Sequence, residues 1–138
     1  MNKLFSAQPI YQRNALTIIR VIVGLLMAYH GLEVFDSAKI HEYAKWDSIK
    51  NLPAPLFMTY LGKGLEFITG CCFVLGLFTR PAALLMAANM VFICFKVGSG
   101  KFWYDDQHPF LFALIAIIFF FTGAGNLSLD KTIFDKNK

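Results

Sequence analysis

Four apolar runs, at 15–35, 55–78, 81–97 and 109–123, take up most of this chain of 138 residues. A hydrocarbon layer of roughly 30 Å is crossed by about 20 residues of α-helix, so these runs fit four crossings with short loops and tails. Five crossings would leave almost no loops. Composition agrees: 57% of residues are hydrophobic and 16% charged, against about 25% charged in soluble chains, with a mean hydropathy of +0.53. The same numbers exclude a disordered chain, a collagen-like repeat and a disulfide-stapled miniprotein. The predicted fold class is all-α: one membrane domain over 1–138, a four-transmembrane-helix bundle.

The borders of the runs carry helix signals. Asn14 stands where an N-cap belongs, and Pro55, Pro81 and Pro109 open the later runs, at a position where proline is tolerated. The link Thr79-Arg80-Pro81 is short enough to make runs two and three antiparallel neighbours. A basic start with Lys3 and Arg13 before an apolar run also describes a signal peptide. Arg20 and His30 interrupt that run, however, and FDSAK is a poor cleavage site, so a retained first helix is expected. Between runs one and two, Ile40, Tyr43 and Trp46 recur every three residues among Lys39, Glu42, Lys45 and Asp47. This pattern suits a short helix at the membrane surface; an irregular loop is the alternative.

Loop charges set the orientation. Lys3, Arg13, Arg80, Lys131, Lys136 and Lys138 fall on one side, while Lys39, Lys45, Lys50 and Lys101 on the other are offset by Asp36, Glu42, Asp47, Asp105 and Asp106. Lysine and arginine favour the cytoplasm, so both termini are expected there. The net charge of +4 belongs to this topology, and the lipid bilayer rather than nucleic acid is the expected partner.

An ionisable side chain inside a span costs about 2.5–3.5 kcal/mol on insertion scales and usually faces the interior. Arg20 lies near the inner end of run one, where it could snorkel to the headgroups, and His30 and Glu33 lie toward the outer end. Lys63 falls in the outer half of run two and Glu66 near its middle; Asn89 and Lys96 occupy the middle and outer end of run three; His108 precedes run four. His30 with Glu33, and Lys63 with Glu66, are three apart and share a helix face. Gly62, Glu66 and Gly70 form one stripe, and Arg20, Gly24, Met27 and Gly31 another, which predicts close contact of the first two long helices with Glu66 held inside.

The candidate site is therefore the polar cluster His30, Glu33, Lys63, Glu66, Asn89, Lys96 and His108, opening outward with Trp103 and Tyr104 at its rim. Few polar groups among many apolar ones suit a small amphipathic ligand, a quinone or another lipophile. Two readings stand for Lys63–Glu66: an ion pair that sets helix register, or a functional pair. A carboxylate at mid-membrane depth beside glycines favours function for Glu66. Lys96 has snorkelling as its ordinary role, and His30 a bond to a carbonyl. Cys71, Cys72 and Cys94 lack the Cys-x-x-Cys spacing of a thiol oxidoreductase and read as buried thiols. His30, His41 and His108 sit on three segments and offer no convincing ligand set, so no metal is expected.

Two segments carry a resemblance: WDSIKNLPAPLFMTYLGKGLEFITGCCFVLGLFTRPAAL at 46–85 and GAGNLSLDK at 123–131, joined by RVIVGLLMAYHGLEVF in the first run. The chain resembles the DoxX family of small bacterial four-helix membrane proteins. Matching positions are Arg20, Gly24, His30, Gly31, Glu66, Gly76, Arg80, Gly123, Gly125, Ser128 and Asp130. Many members have lysine where this chain has Glu33, Asn126 replaces a commonly basic residue, and Lys63 is not a general feature. The resemblance implies a bacterial inner-membrane location and a subunit or accessory of a redox assembly, as in a thiosulfate:quinone oxidoreductase or an oxidative-stress complex. The resemblance favours an accessory subunit over an enzyme acting by itself, with other membrane proteins or further copies of the chain as the expected partners. The alternatives are a membrane chaperone or assembly factor, as among animal relatives, and a small proton-coupled transporter.

Overall fold

The computed structural model describes residues 6–135. Among them every regular element is helical: α1 Gln12–Gly31, α2 Ser37–Tyr43, α3 Pro55–Leu75, α4 Thr79–Phe92, α5 Gln107–Thr122 and α6 Leu129–Phe134. A 3₁₀ turn, Leu32–Phe35, prolongs α1, and a π-turn, Ile93–Val97, prolongs α4. The joined segments Gln12–Phe35 and Thr79–Val97 are long and apolar enough to cross a membrane. Helix α5 is apolar but shorter, and α3, of 21 residues, carries Lys63 and Glu66. Lys3, Lys136 and Lys138, which entered the charge argument, lie outside the described residues.

Several borders differ from the sequence reading. Tyr11, in the left-handed region, takes the N-cap position of α1, and Asn14 instead accepts a 2.9 Å hydrogen bond from the Asn126 side chain. Thr79-Arg80-Pro81 is the first turn of α4 rather than a link, and the chain reverses over Gly76, Leu77 and Phe78. Gly76, at φ +64°, closes α3 in the left-handed conformation that glycine adopts without a Cβ penalty. Pro81 lacks an amide hydrogen where a helix has no use for one. The stretch after α1 does form a helix, with the Asp36 side chain capping it by accepting from the Lys39 amide at 3.2 Å. Its Ile40 is fully buried.

Helix α1 packs along α3, α3 lies beside α4, and α4 packs on α5. Met27, Phe73, Ala83, Met86, Ala116 and Phe119 represent all four in one core. The first contact is a backbone approach. A Cβ on Gly24 would stand 2.6 Å from the Val74 amide nitrogen, and one on Gly31 or Gly70 would collide with the backbone of Phe67 or Ala28. Gly62 does not join this contact and faces Asn89 of α4 instead. Eight residues turn a helix by about 80° beyond two full turns, and that offset carries Gly62 away from α1 toward α4.

The outer surface of the long helices is apolar, and a few polar groups are buried in the apolar core. Arg20, Glu66, Asn89 and Thr69 are buried, whereas Ile18, Leu25, Leu84, Ile117 and Phe121 face outward. Thr17, Thr59 and Thr69 satisfy their hydroxyls by donating to the carbonyl four residues back, at 2.6–2.9 Å.

Arg20 does not snorkel, although its position in the run would allow it. Its side chain is 1% exposed, with Nη1 donating to the Phe73 carbonyl and Nη2 to the Leu127 carbonyl, each at 2.5 Å. The last carbonyls of α3 have no partner within their own helix, and the close α1–α3 packing puts a guanidinium beside them. Gly76 leaves the space: a Cβ there would strike Arg20 Nη1. The closing segment completes the joint. Gly125, at φ +84°, passes over Thr17; Ser128 caps α6; and the Asp130 amide donates to the Gly76 carbonyl at 2.9 Å. The Asp130 carboxylate accepts from the Phe78 and Thr79 amides at 2.7 and 2.8 Å, capping α4 across the chain.

Two stability outcomes follow, read as thermal melting in detergent. Gly24→Leu overfills a backbone contact and should cost about 1–3 kcal/mol or more, whereas Gly64→Ala, with nothing within 4 Å of the new methyl, should be neutral or gain about 0.5–1 kcal/mol. Arg20→Met takes the donor from the Leu127 carbonyl and leaves that of Phe73 with the Gly76 amide alone; it should cost about 1–3 kcal/mol or more, with Arg20→Lys recovering only part, since one ammonium does not span both. Equal melting of Gly24→Leu and the parent would refute the close α1–α3 contact.

Candidate functional site

The α1–α3 approach sets the end of α1 against the first half of α3 and assembles a chain of four charges. Lys39 Nζ lies 3.1 Å from Glu33 Oε1, Lys63 Nζ lies 3.0 Å from Glu33 Oε2, and the same ammonium lies 3.0 Å from Glu66 Oε2. Side-chain exposure falls along it from 48% at Lys39 through 25% and 19% to 7% at Glu66, so the chain runs from surface to interior. Lys39 on α2 was legible in the sequence only as a loop charge. It reaches Glu33 because α2 folds back over the 3₁₀ turn, and the hydrogen bond to that carboxylate raises the Lys39 pKa. Tyr43, read as a headgroup-level aromatic, puts its ring face 5.6 Å from Lys63 Nζ.

The chain borders a cavity of about 600 Å³ between α1, α3, α4 and the segment after α2. Its polar edge is His30, Glu33, Lys63, Glu66 and Asn89; its walls include Trp46, Ile49, Leu52, Met58, Phe92 and Ile93. Asn89 donates from Nδ2 to the Gly62 carbonyl at 3.2 Å and pins α4 to α3 beside Glu66.

Five of the seven sequence-predicted site residues thus line one cavity, and two do not. Lys96 sits on the π-turn, which holds Cys94 inward and leaves Lys96 exposed. His108 is exposed and rests edge-on against His30, with ring centroids 5.6 Å apart, without lining the cavity. The aromatic residues at the cavity are Tyr43, Trp46 and Phe92, not Trp103 and Tyr104, which are 65% and 77% exposed. Asp106 is committed elsewhere: its Oδ2 accepts from the Ser99 hydroxyl and amide, both at 2.8 Å, and from the Lys101 amide at 3.1 Å. The Ser99 hydroxyl bond, with the amide bonds, holds its pKa below the ordinary carboxylate range. Of the cysteines only Cys94 is fully buried; Cys71 and Cys72 are half-buried on the α3 surface. Among the described residues no three His, Cys, Asp or Glu side chains converge on a common point.

An ammonium between two carboxylates beside an apolar cavity can donate to a carbonyl oxygen of a ligand and pass a proton between Glu66 and the surface. Both tasks need the groups at this spacing, and neither needs a metal.

The DoxX family model matches residues 15–99, from the start of α1 through the π-turn. A protein of Haemophilus influenzae (strain ATCC 51907 / DSM 11121 / KW20 / Rd) without an assigned role is 27% identical over 143 aligned residues, covering 99% of this chain and 100% of that protein. CatD of Bacillus subtilis (strain 168), named as a candidate oxidoreductase, is 27% identical over 122 residues, 88% of each chain. No solved structure matches the chain. The matched stretch contains Arg20, the glycines of the α1–α3 contact and every member of the Lys39–Glu33–Lys63–Glu66 chain, and the protein belongs to the DoxX family of membrane-associated proteins.

Proposed function

We propose that this protein is a multi-pass inner-membrane subunit or accessory of a redox assembly, holding a quinone-class lipophile in the cavity beside Glu66. Helices α1, α3, α4 and α5 cross the bilayer, with both termini in the cytoplasm and the cavity in the outer half. The observation that carries this reading is the graded charge chain ending at an apolar-walled cavity. A quinone carbonyl there accepts a hydrogen bond from Lys63, and the ring lies against Trp46 and Ile93. Reduction of a quinone to a quinol takes up two electrons and two protons. The electrons come from a partner protein, and Glu66, Lys63 and Glu33 relay the protons. CatD, a relative named for oxidoreductase chemistry, supports the redox class.

Topology is checked with reporter fusions after Asn51 and at Lys138, which should report opposite compartments; equal signals would sink the crossing scheme. Ligand binding has a built-in probe, because of the two tryptophans Trp46 lines the cavity and Trp103 does not. A soluble quinone should quench parent fluorescence saturably, and Trp46→Phe should abolish the saturable part. Lys63→Met should weaken binding about tenfold or more, as expected for loss of a charged donor. Unsaturable quenching of the parent, or quenching unchanged in Trp46→Phe, would overturn the ligand reading.

The triad makes a second prediction. Glu66→Gln leaves Lys63 paired with Glu33, so its melting loss should be smaller than the about 3–5 kcal/mol typical of a buried charge left alone. Lys63→Met leaves two carboxylates facing one another and should cost more at neutral pH. Because two neighbouring carboxylates share a proton more readily than they both ionise, that loss should shrink as pH falls. A Lys63→Met loss that stays constant from neutral to acid pH would refute the shared-cation geometry.

A further inference from the structure

At the end of the protein opposite Glu66, a second cavity of about 530 Å³ lies between the starts of α1 and α4, the end of α5, and α6. Arg13, Arg80 and Lys131 line it, one from each of α1, α4 and α6. Among the described residues none of these three cations is ion-paired; at the other end Lys39, Lys50, Lys63 and Lys101 each have a carboxylate, and Lys45 and Lys96, which have none, line neither cavity. Asp130 and Asp135 also line the cavity, but both Asp130 oxygens are taken by the amides of Phe78 and Thr79. Three cations thus face two carboxylates, one of them engaged in capping α4, and the cavity is basic by one charge. Its wall includes Phe78 and Phe134, ring centroids 6.0 Å apart, exposed by 53% and 61%. Exposed aromatic rings beside unpaired cations suit a molecule that is anionic at one end and apolar at the other. A free phosphate would use the cations and leave the rings idle.

We infer that this cavity binds the phosphate of an anionic membrane lipid, held by Arg13, Arg80 and Lys131, with the lipid's chains against Phe78 and Phe134. Basic pockets between helices on the cytoplasmic side of a membrane are suited to such headgroups. The inference rests on the bilayer placement proposed above and is independent of the quinone reading, since the two cavities share no residue.

The test uses the full chain purified in detergent, titrated separately with phosphatidylglycerol, phosphatidylcholine and inorganic phosphate, and read by native mass spectrometry and thermal melting. Phosphatidylglycerol should bind and raise the melting temperature, and the other two should not. The double variant Arg80→Gln/Lys131→Gln should fold as the parent does, because Arg80 and Lys131 are exposed, and bind phosphatidylglycerol about 25-fold more weakly, from roughly fivefold per neutralised cation. Lys45→Gln/Lys101→Gln, a charge-matched control at the other end, should bind like the parent. Equal effects of inorganic phosphate would assign the cavity to a soluble anion and overturn the lipid. Equal losses in the two double variants, or no preference over phosphatidylcholine, would overturn the site altogether. Saturable Trp46 quenching would persist in each of these cases, so a failure here leaves the outer cavity untouched.

Discussion

The backbone approach of α1 to α3 is the constraint from which the other features follow. Where the surroundings are apolar, helices gain little by hiding leucine from solvent, and close packing and hydrogen bonds must hold them together. Gly24, Gly31 and Gly70 provide that packing by letting main chain touch main chain. The same approach sets Glu33 within reach of Lys63 at one end and Arg20 beneath the carbonyls of Phe73 and Leu127 at the other. With a larger residue at any of the three glycines, both polar ends would separate.

The two ends use buried charge differently. Arg20 is held by main-chain carbonyls, and the cap that Asp130 places on α4 locks the closing segment against the same joint. Its Nε is buried without a hydrogen-bond partner among the described residues. This is a buried cation fixed by two carbonyls, and it anchors the chain. At the other end every partner is an ionisable side chain, exposure falls stepwise toward Glu66, and a cavity adjoins the deepest group. Titratable groups in series beside an apolar space are what proton-linked binding requires, and a carbonyl-bound guanidinium is not.

Much of this was legible in the residues. Hydrophobic periodicity and the prolines located the long helices to within a few residues, because helix start signals are local. Three-residue spacing placed Lys63 with Glu66, and the small-residue stripes identified the α1–α3 contact. The resemblance picked out Gly76, Gly125, Ser128 and Asp130 without saying what they do. Local signals failed where a residue's partner is distant in the chain. Lys39 looked like a loop charge because its partner depends on how α2 folds back, and the outward position of Lys96 was not legible because a π-turn has no sequence mark.

The sequence by itself determined the helical class, the presence of charged groups within the apolar runs and the glycine seam, since each rests on side-chain size and solvation read along a single helix. Only the tertiary structure decided that Arg20 anchors rather than snorkels, that Lys63 is shared between Glu33 and Glu66, and that Asp130 caps a helix some fifty residues away. The physical reason is that a buried charge takes whichever donors or acceptors the packing brings within about 3 Å, and one chain offers many candidates until its helices meet.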